Sequence, residues 1–208
     1  MKIMEPSVKL IDYTPDAVQV IGEAARTCYQ SKADSKEDNI TLCRRLIKRG
    51  HTAMLEFAHL TFRIVTDRGI THELVRHRIA SFAQESTRYC NYGSKDMAFI
   101  KPCDLEINTA EGRLWVNAMA AAELTYNRML DLNCPPQLAR SVLTNSLKTE
   151  IVAKFNVRSF RNFLFLRTDV KVHPDMRVIA TKCYEEAKHH GFDVLVSDVI
   201  FNKVVNND

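Results

Sequence analysis

The chain has 208 residues and a mass of 23.8 kDa, with 46% hydrophobic and 26% charged residues. That balance excludes disordered, collagenous and low-complexity classes, and no apolar run reaches the roughly 20 residues that span a bilayer. The formal charge of +4 and pI near 8.7 suit small anionic ligands without requiring a nucleic acid.

Thr14-Pro15-Asp16 predicts a helix start, with Thr14 as N-cap and Pro15 at the first helical position. Val18, Ile21, Ala25 and Cys28 then recur at helical spacing to about Ser31. Ser31 to Asp38 is polar and reads as a loop. Ile40, Cys43, Leu46 and Ile47 form a second apolar stripe, closed by Gly50. From Leu60 the period becomes two: Leu60, Phe62 and Ile64 alternate with Thr61, Arg63 and Val65, which predicts a strand. Asp67-Arg68-Gly69 reads as a turn, Ile70–Ile79 as a helix, and Ser81–Tyr89 as an ordered loop leading into a short strand at 88–92.

Thr109–Leu132 predicts a long helix containing the single tryptophan, Trp115. Pro135-Pro136 opens another helix through Leu143. Ile151–Val157 alternates as a strand, and Ser159 is the expected N-cap of a helix through Leu166. His173-Pro174 opens a final helix carrying Met176, Ile179, Ala180, Cys183 and Ala187 on one face, stopped by Gly191. No repeat or Gly/Ser-rich linker interrupts the chain. The expectation is one α+β domain over residues 1–208, a central, mostly antiparallel sheet flanked by helices.

The six glycines include no two within six residues of each other, which excludes both G-x-G-x-x-G and the P-loop. Any nucleotide must then be held by side chains, for which arginine is suited. The six cysteines contain no C-x-x-C, and the N-terminus carries no apolar export signal, so they read as reduced thiols, mostly small and buried, in a soluble cytoplasmic protein. His72-Glu73 followed by His77 is one residue too long for H-E-x-x-H. On a helix the two rings would stand about 140° apart, so no metal site is expected.

Residues 76–88 concentrate the chemistry: Arg76-His77-Arg78-Ile79-Ala80-Ser81-Phe82-Ala83-Gln84-Glu85-Ser86-Thr87-Arg88. On a helix, Arg76 and Arg78 would point about 200° apart and serve two anions or one bent ligand. Ser86 and Arg88 suggest an anion nest with loop amides. On the residues alone, the cluster fits a solvated basic helix end as well as a ligand grip. A nucleotide- or RNA-binding module without chemistry is also open.

The segment matches R-H-R-x-x-S-x-x-x-x-S-x-R, and by it the chain resembles the flavin-dependent thymidylate synthases. Supporting pieces follow in order: His51 with Glu56, the Leu60–Val65 strand, Ala139-Arg140, Asn156-Val157-Arg158-Ser159-Phe160-Arg161-Asn162-Phe163, and Leu166-Arg167. The similarity runs from about residue 10 to residue 190. The chain departs from the family pattern at Ala53, Phe57 and Ala83-Gln84. The resemblance implies an α+β fold and homotetramers with active sites shared between subunits. It implies reductive methylation of dUMP to dTMP, with 5,10-methylenetetrahydrofolate as carbon donor and FAD reduced by NADPH as hydride source. No metal, nucleic acid or membrane is expected to take part.

By matching position, the resemblance places Arg76, His77, Arg78, His51, Asn156, Val157, Arg158 and Asn162 on FAD. It places Gln84, Glu85, Ser86, Thr87 and Arg88 around dUMP, with Ser86 and Arg88 near its phosphate and sugar, Gln84 also toward the flavin and Arg76 also toward dUMP. Glu73 and Arg140 would touch dUMP as well. Arg167 would lie against the pyrimidine and favour ionisation at N3, as the catalytic group. A guanidinium there stabilises charge developing on the ring. No enzyme nucleophile is then required, and Cys90 reads as a packing thiol.

Overall fold

The computed structural model describes residues 1–90, 92 and 97–205, the last five of them by backbone alone. In chain order the elements are β1 (Lys2–Met4), β2 (Ser7–Tyr13), α1 (Ala17–Thr27), α2 (Lys36–Lys48), a 3-10 turn (Thr52–Phe57), β3 (His59–Asp67), α3 (Arg68–Leu74) and β4 (Ala80–Gln84). There follow β5 (Ala98–Ile100), α4 (Ala110–Asp131), α5 (Pro136–Ala139), β6 (Lys148–Asn156), α6 (Val157–Arg167), α7 (Pro174–Ala187) and α8 (Asp193–Val205). The main sheet is antiparallel, with strand order β2-β3-β6-β4. A parallel pair, β1 with β5, sets Ile3 against Phe99. The α+β class holds. No described helix is long and apolar enough to cross a membrane.

The chain divides into two compact units. The first takes in Met1–Ser7, Ile64–Arg76 and Ala83–Ile151; the second, Val8–Arg63, His77–Phe82 and Val152–Asp208. The boundary falls part-way along β3, β4 and β6. The first unit packs Phe99, Met119, Tyr126 and Leu147 into its core beneath Trp115. The second is organised by four phenylalanines: Phe62 meets Phe160 at 5.2 Å between ring centroids, and Phe155 stacks on Phe163 at 5.4 Å. Burial of such rings dominates core stability.

Several boundaries differ from the sequence expectation for local reasons. Thr14 does not cap α1. Its hydroxyl lies 2.9 Å from His59 Nδ1 and accepts from the His59 N–H, while Asp16, in a left-handed conformation, precedes the first turn. The polar stretch before residue 40 is partly helical. Ser35 and Asp38 form a reciprocal capping box, so α2 begins at Lys36. Asp67-Arg68-Gly69 is a helix start, because Asp67 accepts from the Ile70 N–H. That helix ends at Leu74, not Ile79. Residues 80–84 are a strand, not a loop, and 87–89 form a turn, not a strand; residue 91 of the expected 88–92 strand lies outside the described residues.

Asn156, not Ser159, caps α6: its side chain accepts from the Ser159 N–H at 2.8 Å. Beyond α7, Gly191 at φ 85 produces a kink and the chain continues into α8. Of the six cysteines only Cys43 and Cys183 are buried, and Cys28 is exposed.

Within the second unit α1 packs along α2, and Gly22 sets how closely. A Cβ at Gly22 would fall 2.5 Å from Asn39 Oδ1. Asn39 is fully buried, donates to Gln19 and accepts from Arg26 Nε at 2.9 Å. The glycine therefore leaves room for the asparagine that aims Arg26.

Candidate active site

The second unit holds His51, His77, Arg78, Asn156, Val157, Arg158, Asn162 and Arg167. Arg76-His77-Arg78 is not helical. Arg76 closes the turn after α3 through its N–H to the Glu73 carbonyl, and Ile79 sits at φ 62. The expected helical divergence of Arg76 and Arg78 therefore does not apply; both are exposed on an irregular turn.

His77 is 8% exposed, and its ring meets Phe163 edge-on at 5.1 Å. The last turn of α6 carries Arg167, whose Nε–H donates to His77 Nε2 at 2.8 Å. The acceptor nitrogen must be unprotonated, so the neutral ring carries its proton on Nδ1. Burial, reinforced by the Arg167 charge, pushes the His77 pKa down to about 4. The imidazole is thus a neutral acceptor that fixes Arg167.

This makes an acid-stability prediction. The folded pKa lies below the ordinary 6.5, so between the two values the unfolded chain takes up a proton that the folded chain refuses. The contribution is complete above pH 6.5 and is lost as pH falls toward 4, on the order of 3 kcal/mol. Melting temperature measured against pH should drop through that window in the wild type and lose that part of its slope in His77→Gln. Parallel curves would refute the assignment.

His51, at the start of the 3-10 turn, is exposed. With Thr52, Ala53, Met54, Tyr29 and Arg158 it lines a cavity of about 370 Å³. Arg158 Nη1 is held by Glu56 Oε1 at 2.7 Å. Asn156 spends its side-chain oxygen on capping α6. Val157 is shut in the core, with its N–H on the Ala58 carbonyl. Asn162 is exposed on α6. The structure therefore brings His51 and Arg158 to one cavity, while Asn156 and Val157 build the helix start that carries Arg158.

The first unit holds Glu73, Arg76, Gln84, Glu85, Ser86, Thr87, Arg88 and Arg140. At the end of β4, Gln84 Nε2 donates to Thr71 Oγ1 at 2.8 Å and to Thr149 Oγ1 at 3.3 Å. The Glu85 carboxylate accepts from Tyr92 OH at 2.9 Å and pairs with Lys148 Nζ at 3.0 Å. Burial and that carboxylate push the Tyr92 phenol well above its ordinary pKa. The Ser86 carbonyl accepts from the N–H groups of Tyr89 and Cys90, and Ser86 Oγ accepts from Arg88 N–H. The Arg88 guanidinium lies over the Tyr89 ring at 5.3 Å. Arg140, in the 3-10 turn after α5, donates from Nη1 to the buried Thr87 hydroxyl at 2.9 Å.

A polar loop with two guanidinium groups is thereby tied at both ends. Sequence reasoning missed its supports, Thr71, Tyr92, Lys148 and Thr149. No group of three or more metal-ligating side chains occurs among the described residues.

The fold is that of an α+β protein with arginine-bearing loops. The sequence profile described as "Thymidylate synthase complementing protein" matches residues 9–190. A flavin-dependent thymidylate synthase of Geobacter sulfurreducens is 30% identical, covering 84% of this chain and 79% of its own. Its counterpart from Saccharolobus solfataricus is 35% identical over 88% and 72%, respectively. A crystal structure of the UMP/dUMP methylase PolB from Streptomyces cacaoi, bound with 5-Br dUMP, has the same fold. It superposes with a TM-score of 0.78 at 24% identity, covering 94% of this chain and 98% of that one. The chain belongs to the flavin-dependent thymidylate synthase family.

Proposed function

We propose that this protein makes dTMP by reductive methylation of dUMP, taking its carbon from 5,10-methylenetetrahydrofolate and using FAD reduced by NADPH. The observation that carries the proposal is the Arg167–His77 pair. A neutral, buried histidine from the R-H-R segment holds a guanidinium by its Nε, which fixes the direction of the rest of the fork. Arg167 is assigned to the pyrimidine edge. There it stabilises negative charge as N3 ionises, leaving C5 electron-rich.

Arg88, Ser86 and Arg140 are assigned to the phosphate and sugar of dUMP, with Gln84, Glu85 and Thr87 shaping the loop. Glu73 and Arg76 complete the nucleotide's surroundings. His51, His77, Arg78, Asn156, Val157, Arg158 and Asn162 are assigned to the flavin, as is Gln84. The donor set fits such a group, since the cavity between His51 and Arg158 offers a ring nitrogen and a cation. FAD, when bound, supplies the hydride; the chain's part is to orient reactants and exclude water.

No thiol is needed. Burial pushes Cys43 up to about 11 and Cys183 higher still. The protein works without a metal, as one functional domain and as a cytoplasmic homotetramer sharing its sites between subunits.

The test is the visible spectrum of the purified protein followed by an assay of dTMP. A flavin spectrum bleached by NADPH, and dTMP formed only with dUMP and the folate present, is the expected result. A colourless protein that FAD does not restore would overturn it.

A further inference from the structure

The second unit carries a basic hollow whose three arginines the proposed chemistry leaves unused. Between α1 and α2 lies a cavity of about 380 Å³, lined among others by Arg26, Tyr29, Arg45, Arg49 and His51. Arg45, in the last turn of α2, and Arg49, its C-cap residue, are four residues apart and so lie on one side. Arg26 reaches the hollow from α1, held by two neutral acceptors, Asn39 Oδ1 and the Lys32 carbonyl.

None of the ion pairs among the described residues includes these three guanidinium groups. The Asp38 carboxyl is held below its ordinary pKa mainly by the Asp34 and Ser35 hydrogen bonds, with the Arg26 charge a smaller cause. The hollow adjoins the His51–Arg158 cavity, sharing Ala25, Tyr29, Leu46 and His51 with it. Tyr29 is 82% exposed at the join. A large aromatic side chain left open to water beside three guanidinium groups outside those ion pairs is a poor arrangement for a bare surface and a good one for a ligand.

A ligand that meets the bound flavin beside His51 and runs on into the hollow would be long, with a flat middle against Tyr29 and several negative charges at its far end. Among the reactants of the proposed reaction, the folate has that form: a pterin head, an aminobenzoyl ring and a tail of glutamyl carboxylates. We infer that Arg26, Arg45 and Arg49 form the subsite that grips the γ-linked glutamyl tail of methylenetetrahydrofolate, giving preference to long-tailed folates. This rests on the functional reading above. Dinucleotide phosphates share the anionic chemistry, so the test separates the two.

The wild type and an Arg45→Gln/Arg49→Gln variant are compared with mono- and triglutamyl methylenetetrahydrofolate. In the wild type the triglutamate should show the lower KM, and added salt should erode the advantage. The double variant should raise the triglutamate KM roughly 3- to 20-fold, leaving kcat and the KM values for dUMP and NADPH unchanged. Calorimetric binding of each folate to the FAD-loaded protein, without NADPH, should show the same loss of tail preference. A changed KM for NADPH or a weakened hold on FAD instead, an unaltered tail preference, or a smaller assembly in the variant would each overturn the inference. A wild type that forms no dTMP, yet binds the triglutamate more tightly than the monoglutamate, would refute the proposed activity and support this subsite.

Discussion

Arg167→Ala should lower the rate of dTMP formation about 10²- to 10³-fold, the loss usual when one preorganised donor to a developing negative charge is removed. The effect should fall on kcat. Arg167→Lys should restore little, because an ammonium lacks the planar fork and cannot hold the histidine and the uracil edge together. A second readout separates orientation from simple damage. Without the Arg167 charge the His77 pKa should rise from about 4, yet stay below 6.5, because burial is the larger cause of its depression. Ring-nitrogen NMR across a pH series measures this directly. Full turnover in Arg167→Ala, or an unmoved His77 titration, would contradict the assigned geometry.

The elements that the sequence revealed best have strong local signals. Thr109 accepts from the Gly112 N–H at 3.1 Å and starts α4 where expected, and His173-Pro174 opens α7. In β6 alternate residues, Thr149, Ile151, Ala153 and Phe155, are buried, so periodicity reads clearly there. In β4 it fails. This strand lies at the end of the sheet order and none of its residues is fully buried, so its alternation is too weak to read as a strand.

The Arg76–Arg78 turn was hidden for another reason. Nothing local in Ile79 announces a left-handed backbone, which a β-branched residue adopts only when its surroundings enforce it. In the candidate site the motif itself was legible. Its supports were not, because Lys148 meets Glu85 across 63 residues and Arg158 meets Glu56 across 102. No spacing rule reaches that far.

Arg140→Ala should raise the KM for dUMP about 10- to 100-fold, with a much smaller change in kcat. Two losses combine. One of the two guanidinium groups assigned to the phosphate and sugar disappears, and the hydroxyl of buried Thr87 loses its donor at 2.9 Å. A hydrogen bond to a charged group is worth about 1.5–3 kcal/mol, which gives that range. Thr87→Val removes the hydroxyl and keeps the cation, so its effect should be only a few-fold. The two substitutions together should cost less than the sum of their separate effects, because they share one contact. The discriminating measurement uses deoxyuridine, which lacks the phosphate. Arg140→Ala should shrink the preference for dUMP over deoxyuridine, whereas damage to the loop alone would weaken both ligands equally. If the preference survived intact, Arg140 would not face the phosphate, which would be left to Arg88 in the loop.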